Sequence, residues 1–181
     1  MGKSTILSMV TAAQPKIANY HFTTIDPNLG VVNIDAENGF VMADIPGIIE
    51  GAHEGVGLGH EFLKHIERTK LLIHVVDISG SEGRDPIKDF EIINEELKKY
   101  NPVLFERPQI VAANKMDVTG AEENLEVFRK SVESQGYQVF PVSAASNKGL
   151  KELVYYAAQR IKELPDTILT SDEEDEVLGV Y

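Results

Sequence analysis

The most constraining feature of the sequence is a regular alternation of short apolar runs with longer segments of helical period. Residues 31–34 and 40–44, separated by the turn-rich spacer 35–39, read as an antiparallel hairpin. Residues 71–77 (LLIHVVD), 109–114 (QIVAAN) and 138–142 (QVFPV) read as three further strands, buried on both faces. Helical periods are predicted over 3–12, 58–68, 86–99, 121–135 and 149–164, where Pro165 stops the last. This order predicts an α/β fold, a mostly parallel sheet with helices on both faces. Ligands of such sheets gather beyond the carboxyl ends of the strands. The polar signatures fall there: Asp44-Ile45-Pro46-Gly47 after the second strand, Asn114-Lys115-Met116-Asp117 after the fourth, Ser143-Ala144-Ala145 after the fifth.

Each signature has its own chemistry. The opening Gly2-Lys3-Ser4-Thr5 matches the second half of a phosphate-binding loop, G-x-x-x-x-G-K-[ST]. Gly2 lets the backbone approach phosphate, Lys3 brings a positive charge to the outer phosphates, and the Ser4 hydroxyl suits a magnesium ion. Alone, these residues also fit an ordinary helix start. Asp44 in a D-x-x-G turn can hold a water on magnesium, and Gly47 can offer its N–H to a terminal phosphate. An isolated Asp turn is commonplace.

Asn114-Lys115-Met116-Asp117 is more specific. The guanine edge presents a ring N–H and an exocyclic amine, and one carboxylate, Asp117, can accept both. Adenine offers no such pair and would leave the acceptor unsatisfied. Asn114 would bridge the base site and the phosphate loop, and the alkyl stem of Lys115 would cover the base plane. Ser143-Ala144-Ala145 supplies small residues that let a backbone N–H approach the guanine carbonyl oxygen. Between the first two signatures, Phe22-Thr23-Thr24-Ile25-Asp26 brings two threonines, either of which could sense a terminal phosphate and ligate magnesium. His53, Glu54 and His60 lack a helical ligand spacing and read as solvated loop residues. The ordered set of GKST, threonines, DxxG, NKxD and SAA points to a guanine-nucleotide site.

The net charge is −12, and about half of it comes from Asp166, Asp172, Glu173, Glu174, Asp175 and Glu176. Residues 165–181 therefore read as an acidic linker or tail after a nucleotide-binding domain over 1–164. The remainder is acidic too, which argues against strong direct nucleic-acid binding. No apolar run approaches the roughly 18 residues of a membrane span. The chain has no cysteine, as suits a cytoplasmic address.

The chain resembles the Obg family of guanine-nucleotide-binding proteins in FTTIDPNLG, DIPGIIEGAHEGVGLG, HIERT, GRDP, RPQIVAANKMD and PVSAASNKGL, which cover nearly all of it up to residue 164. The resemblance implies a P-loop NTPase-type fold and a switch that binds GTP and GDP and hydrolyses GTP slowly with magnesium. It makes Thr24 the metal ligand beside Ser4. Its nucleotide contacts map to Gly2, Lys3, Ser4 and Thr5; to Phe22, Thr23, Thr24, Ile25 and Asp26; to Asp44, Ile45, Pro46 and Gly47; to Asn114, Lys115, Met116 and Asp117; and to Ser143, Ala144 and Ala145. It also implies the large ribosomal subunit as partner and the alarmone ppGpp as a further ligand.

Two departures matter. Family members carry a strand and the first half of the loop before GKST, so the sheet is expected to lack its first central strand, between the third strand and the one after it, leaving two neighbours without backbone partners. Ile48 stands where a Ras-like switch has a water-positioning glutamine, so turnover is expected to be slow and no catalytic group is assigned. Two other function classes compete: a ribosome-docking module, and a truncated chain with little nucleotide binding of its own.

Overall fold

Alternate residues along the strands 69–77 and 109–114 enter two different apolar cores. Ile73, Val75, Ile110 and Ala112 belong to one, and Val76, Val111 and Ala113 to the other. A strand buried on both faces needs a helical layer on each, and this computed structural model supplies both. It describes residues 2–11, 16–17, 28–35, 38–45, 69–81, 83–165 and 177–180. In chain order the elements are α1 (Lys3–Val10), β1 (Lys16–Ile17), β2 (Asn28–Asn33), β3 (Gly39–Asp44), β4 (Thr69–Asp77), α2 (Pro86–Tyr100), α3 (Pro102–Phe105), β5 (Gln109–Asn114), α4 (Ala121–Glu133), β6 (Gln138–Pro141), α5 (Leu150–Glu163) and β7 (Val177–Val180). Among these residues no helix is long and apolar enough to cross a membrane.

Helices α1 and α5 cover the first face with Ile6, Leu7, Leu153, Ala157 and Ile161. Helices α2 and α4 cover the second with Phe90, Phe128 and Val132. There the Phe90 and Phe128 rings meet edge to face, with centroids 5.9 Å apart. The strands form one sheet in the order β1-β2-β3-β7-β4-β5-β6. Every pair from β3 to β6 is parallel, and β1 and β2 add an antiparallel edge.

The elements begin and end where the residues dictate. Asp85 caps α2 by accepting the Ile87 N–H at 2.9 Å, with Pro86 in the first helical position. In the β2–β3 turn the Asp35 carboxylate accepts the Asn38 backbone N–H at 2.9 Å. Lys162 of α5 donates to the Asn38 side-chain oxygen at 2.9 Å and ties that turn to the helical layer. Gly149 precedes α5 at φ 73°, and a Cβ there would lie 2.2 Å from the Pro141 carbonyl oxygen. Only glycine permits this close approach of α5 to the end of β6.

The sheet matches the α/β expectation, and strands 109–114 and 138–141 lie where the sequence puts them. The helix expected over 58–68 lies outside the described residues. Three short elements, β1, α3 and β7, were not anticipated. β7 changes the picture most. Leu71–Asp77 and Gln109–Asn114 pair directly, Ile73 opposite Ile110 and Asp77 opposite Asn114, so no position is open between them. The central position lies one place over, between β3 and β4, and Val177–Val180 occupies it. Val180 pairs with Asp44 on one side and Ile73 on the other. Residues 71–77 and 109–114, the two neighbours expected to lack backbone partners, pair with each other, and β7 supplies the second partner of β4. Within residues 165–181, expected as an acidic linker or tail, Val177–Val180 form a sheet strand, and Val180 is fully buried. A register shift between Thr69 and Leu71 inserts an extra residue into β4 opposite β7.

Candidate nucleotide site

The carboxyl ends of β3, β5 and β6 and the start of α1 converge, and the predicted signatures meet in two groups. The first surrounds Asp44, the last residue of β3. The Ser4 hydroxyl donates to Asp44 Oδ2 at 2.9 Å. The Lys3 ammonium lies 3.7 Å from Asp44 Oδ1 and donates to the Ile45 carbonyl at 3.3 Å. Both lysine and carboxylate are largely buried, with side chains 13% and 11% exposed. Asp44 Oδ1 is enclosed and has no hydrogen-bond partner among the described residues. A carboxylate oxygen in that condition, beside a serine hydroxyl, suits a hard cation. Among the described residues no group of three or more His, Asp or Glu could hold an ion unaided. The donor set thus fits magnesium, which typically takes one or two protein oxygens, keeps its waters and completes its shell on phosphates.

The second group surrounds Asn114, the last residue of β5 and 2% exposed. Its side-chain oxygen accepts the Ala144 N–H at 3.0 Å. The Ser143 hydroxyl donates to Asp117 Oδ1 at 2.5 Å and accepts the Ser146 N–H at 3.1 Å. Ser143 and Lys148 exchange backbone hydrogen bonds of 2.9 and 3.1 Å, closing the loop. That exposed carboxylate is held below the usual range, first by the Ser143 hydrogen bond and then by its own backbone N–H, with further help from the Lys115 and Lys148 charges against slight desolvation. It is an ionised acceptor at neutral pH, as recognition of two N–H donors requires.

Gly2 joins the groups. Its φ is 91°, and a Cβ on it would lie 2.5 Å from the Asn114 side-chain nitrogen. Asn114 therefore lies between Gly2 on one side and the Ser-Ala-Ala loop on the other. Thr5 lies exposed on α1, Met116 packs against the second core, Ile45 and Ala144 are buried, and Ala145 is exposed. Phe22, Thr23, Thr24, Ile25, Asp26, Pro46 and Gly47 lie outside the described residues. Two participants were missed. The Val180 carbonyl accepts the Ile45 N–H at 2.8 Å, anchoring the residue after Asp44. Asp77, at the end of β4, forms an ion pair with Lys115. As a polar residue closing an apolar strand, Asp77 was visible in the sequence.

A family model described as 50S ribosome-binding GTPase matches residues 1–115. The chain is 85% identical to the GTPase Obg of Acetivibrio thermocellus over 98% of its own length and 42% of that protein's. It is 67% identical to the GTPase Obg of Ruminiclostridium cellulolyticum over 97% of its length and 41% of that protein's. The chain thus spans about two-fifths of these relatives. Among solved structures it is similar to a variant of Era from Aquifex aeolicus bound to GDP and AlF4, with a TM-score of 0.61 and 26% identity over 96% of this chain and 56% of that one. It is similar in fold to the cytosolic domain of T. maritima FeoB in its GMPPNP form, with a TM-score of 0.60 and 20% identity over 96% of this chain and 65% of that one. By the family-model match over residues 1–115, and with relatives named GTPase Obg, the chain belongs to the 50S ribosome-binding GTPase family.

Proposed function

We propose that this chain is the guanine-nucleotide-binding part of an Obg-type switch that binds GTP and GDP with magnesium and hydrolyses GTP slowly. The observation that carries this reading is the joining of NKxD to SAA: Ser143 fixes the Asp117 carboxylate, and Asn114 fixes the Ala144 amide beside Gly2. An acceptor for two purine donors and the small residues Ala144 and Ala145, which leave room for the purine oxygen, are thereby held in one loop system, with Lys3 and Ser4 at the opposite end for the phosphates. The name GTPase Obg borne by the relatives supports the assignment.

Ser4 and Thr24 would hold the magnesium ion, with Asp44 behind it through water, and the bound ion supplies positive charge to the phosphate oxygens. Lys3 neutralises phosphate charge from its anchor on Ile45. Ile48 cannot orient water by a hydrogen bond, which is the reason for slow turnover. A solved structure of Era with MgGDPNP and a segment of 16S ribosomal RNA supports the magnesium assignment. The family description supports the large ribosomal subunit as partner of the intact protein, with ppGpp a further ligand of the same pocket. The acidic surface of this segment leaves ribosome contact to shape and to other parts of the protein.

The test is a nucleotide titration of the chain and its Asp117→Asn variant. The unaltered chain is expected to prefer GDP to ADP by at least about a hundredfold, in keeping with a site whose buried polar groups reject the wrong partner. The variant is expected to shift preference to xanthine nucleotides, whose second carbonyl suits an amide. Equal affinity for GDP and ADP would overturn the reading.

A further inference from the structure

Lys115 is one of two non-glycine residues with positive φ among those described, at 69°. That region disfavours residues bearing a Cβ, and here the backbone is fixed by the Val118 N–H on the Lys115 carbonyl at 3.1 Å and the Met116 N–H on the Val142 carbonyl at 3.2 Å. The side chain is tethered by Asp77, whose Oδ2 pairs with the Lys115 ammonium; the carboxylate side chain is 12% exposed and the lysine 31%. Asp77 is itself fixed from its other oxygen. Oδ1 accepts the Ser79 N–H at 3.0 Å and the Ser79 hydroxyl at 2.6 Å. The loop behind it is fixed as well, because Asn124 donates to the Ile78 carbonyl at 3.0 Å and the Ser79 carbonyl at 3.3 Å. Ile78 in turn donates its N–H to the Asn114 carbonyl at 3.0 Å, so both ends of the ion pair ride on one continuous ladder.

We propose that Asp77 is a positioning residue for the purine: it holds the Lys115 ammonium beyond the end of β4, so that the lysine's alkyl stem forms one wall of the base pocket beside Asp117. This rests on the guanine-nucleotide reading of the site and adds to it a specific residue outside the recognised signatures. An unheld lysine would swing into solvent, and base binding would then have to order a long flexible chain. With Asp77 and Ser79 in place that ordering is already done, which is preorganisation in its usual sense. Burial pushes the Asp77 carboxyl up, but the hydrogen bonds from Lys115 and Ser79 and the Lys115 charge more than offset it, and the group stays below the usual carboxylate range. The tether is therefore charged throughout the neutral range.

The experiment is a double-mutant cycle on the full chain read by GDP titration, with Asp77→Asn, Lys115→Met and the double variant, each first shown to be folded at the titration temperature by a cooperative melting transition. Asp77→Asn is expected to weaken GDP about tenfold in the wild-type background and less than twofold in the Lys115→Met background. Asp77→Glu, which keeps the charge, is expected to recover most of the loss. Equal losses in both backgrounds overturn the proposal, as does an Asp77→Asn variant that binds as tightly as the unaltered chain. A second readout needs no nucleotide. In NMR titrations the Lys115 ammonium should lose its proton at lower pH once Asp77 is changed to Asn. If the unaltered chain binds no guanine nucleotide, the functional reading of the site fails, and an Asp77→Asn variant that leaves the Lys115 titration unmoved removes the tether on its own account.

Discussion

The Ile45 N–H donates to the Val180 carbonyl at 2.8 Å, so the residue after the Asp44 carboxylate hangs from a strand 135 residues further along the chain. Ile45 in turn accepts the Lys3 ammonium through its own carbonyl. The phosphate end of the candidate site is thus assembled by three segments, none of which is adjacent in sequence to another. This makes β7 more than a filler of the sheet. It gives β3 and β4 their partners and sets the position of Ile45, on which the Lys3 ammonium is anchored.

Removing buried surface from β7 should therefore loosen both the sheet and that end of the site. Val180 is fully buried in the larger core, and Val180→Ala should cost about 2 kcal/mol of stability. Urea unfolding measures the cost. Amide exchange at Ile45 gives the local consequence, and it should accelerate more than exchange at Ala113, which sits in strand β5 on the other side of β4. Uniform acceleration across the sheet would mean that β7 has no special link to the Asp44 end.

How far the sequence disclosed this arrangement depends on what each element needs from its surroundings. The strand 109–114 and the helix from Pro86 were legible because a long apolar run, a capping Asp85 and Pro86 are local signals. Val177–Val180 carries no such signal. Three hydrophobic residues and a glycine after a run of carboxylates have no period, and they become a strand only because β3 and β4 present open edges to them. Asn114 and Asp117 stand out by residue type and spacing, whereas the Asp77 tether depends on Asp77 and Asn114 falling opposite each other in register. That juxtaposition is tertiary and leaves no trace in either segment alone.

The hydroxyl that fixes Asp117 offers a direct test of the base pocket. Ser143 satisfies Asp117 Oδ1 and the Ser146 N–H together. Ser143→Ala removes both bonds without changing the backbone of the loop. The loss in GDP binding should be roughly tenfold, the size of about one net hydrogen bond to a charged group. Calorimetric titration with GDP and with IDP separates the effects. Asp117 faces the exocyclic amine that IDP lacks, so the variant should lose less for IDP than for GDP.

At the phosphate end, Ser4→Ala should remove the magnesium dependence of binding. Ser4 is the hydroxyl beside Asp44, and a methyl group offers the ion nothing. In the unaltered chain, GDP affinity measured with magnesium should exceed that measured with chelator; in the variant the two values should converge. A magnesium effect that survives the substitution would move the ion away from Ser4.

Gly149 links fold and loop. Alanine there would meet the Pro141 carbonyl at 2.2 Å and would hold φ at 73°, so Gly149→Ala should cost at least about 2 kcal/mol. The damage should spread to Ser143, whose loop closes on Lys148 just before this position. Thermal unfolding and GDP titration of the same variant should therefore fall together. A variant as stable as the unaltered chain would show that the α5 start can retreat from β6.

His74 sets an acid limit on stability. Its ring is fully buried and stacked on Phe90 with centroids 4.8 Å apart. Its pKa falls from the usual 6.5 to about 3, because burial and, to a smaller degree, the Lys3 charge outweigh the upward pull of the Asn94 side chain. The folded protein therefore refuses a proton that the unfolded chain accepts, so stability is lost as pH falls below about 6.5, and the loss continues down to the folded value. At pH 5 the difference amounts to about 2 kcal/mol. The depressed carboxyls of Asp77 and Asp117 act in a lower window, since their contribution is complete above the ordinary carboxylate pKa of about 4 and disappears only below it. The two windows can be resolved by urea unfolding at pH 7, 5 and 3.5. His74→Leu, close in volume and unable to titrate, should flatten the stability profile between pH 7 and pH 5 and leave the fall below pH 4 in place. Parallel profiles for the two proteins above pH 5 would show that the imidazole takes up its proton without leaving the core.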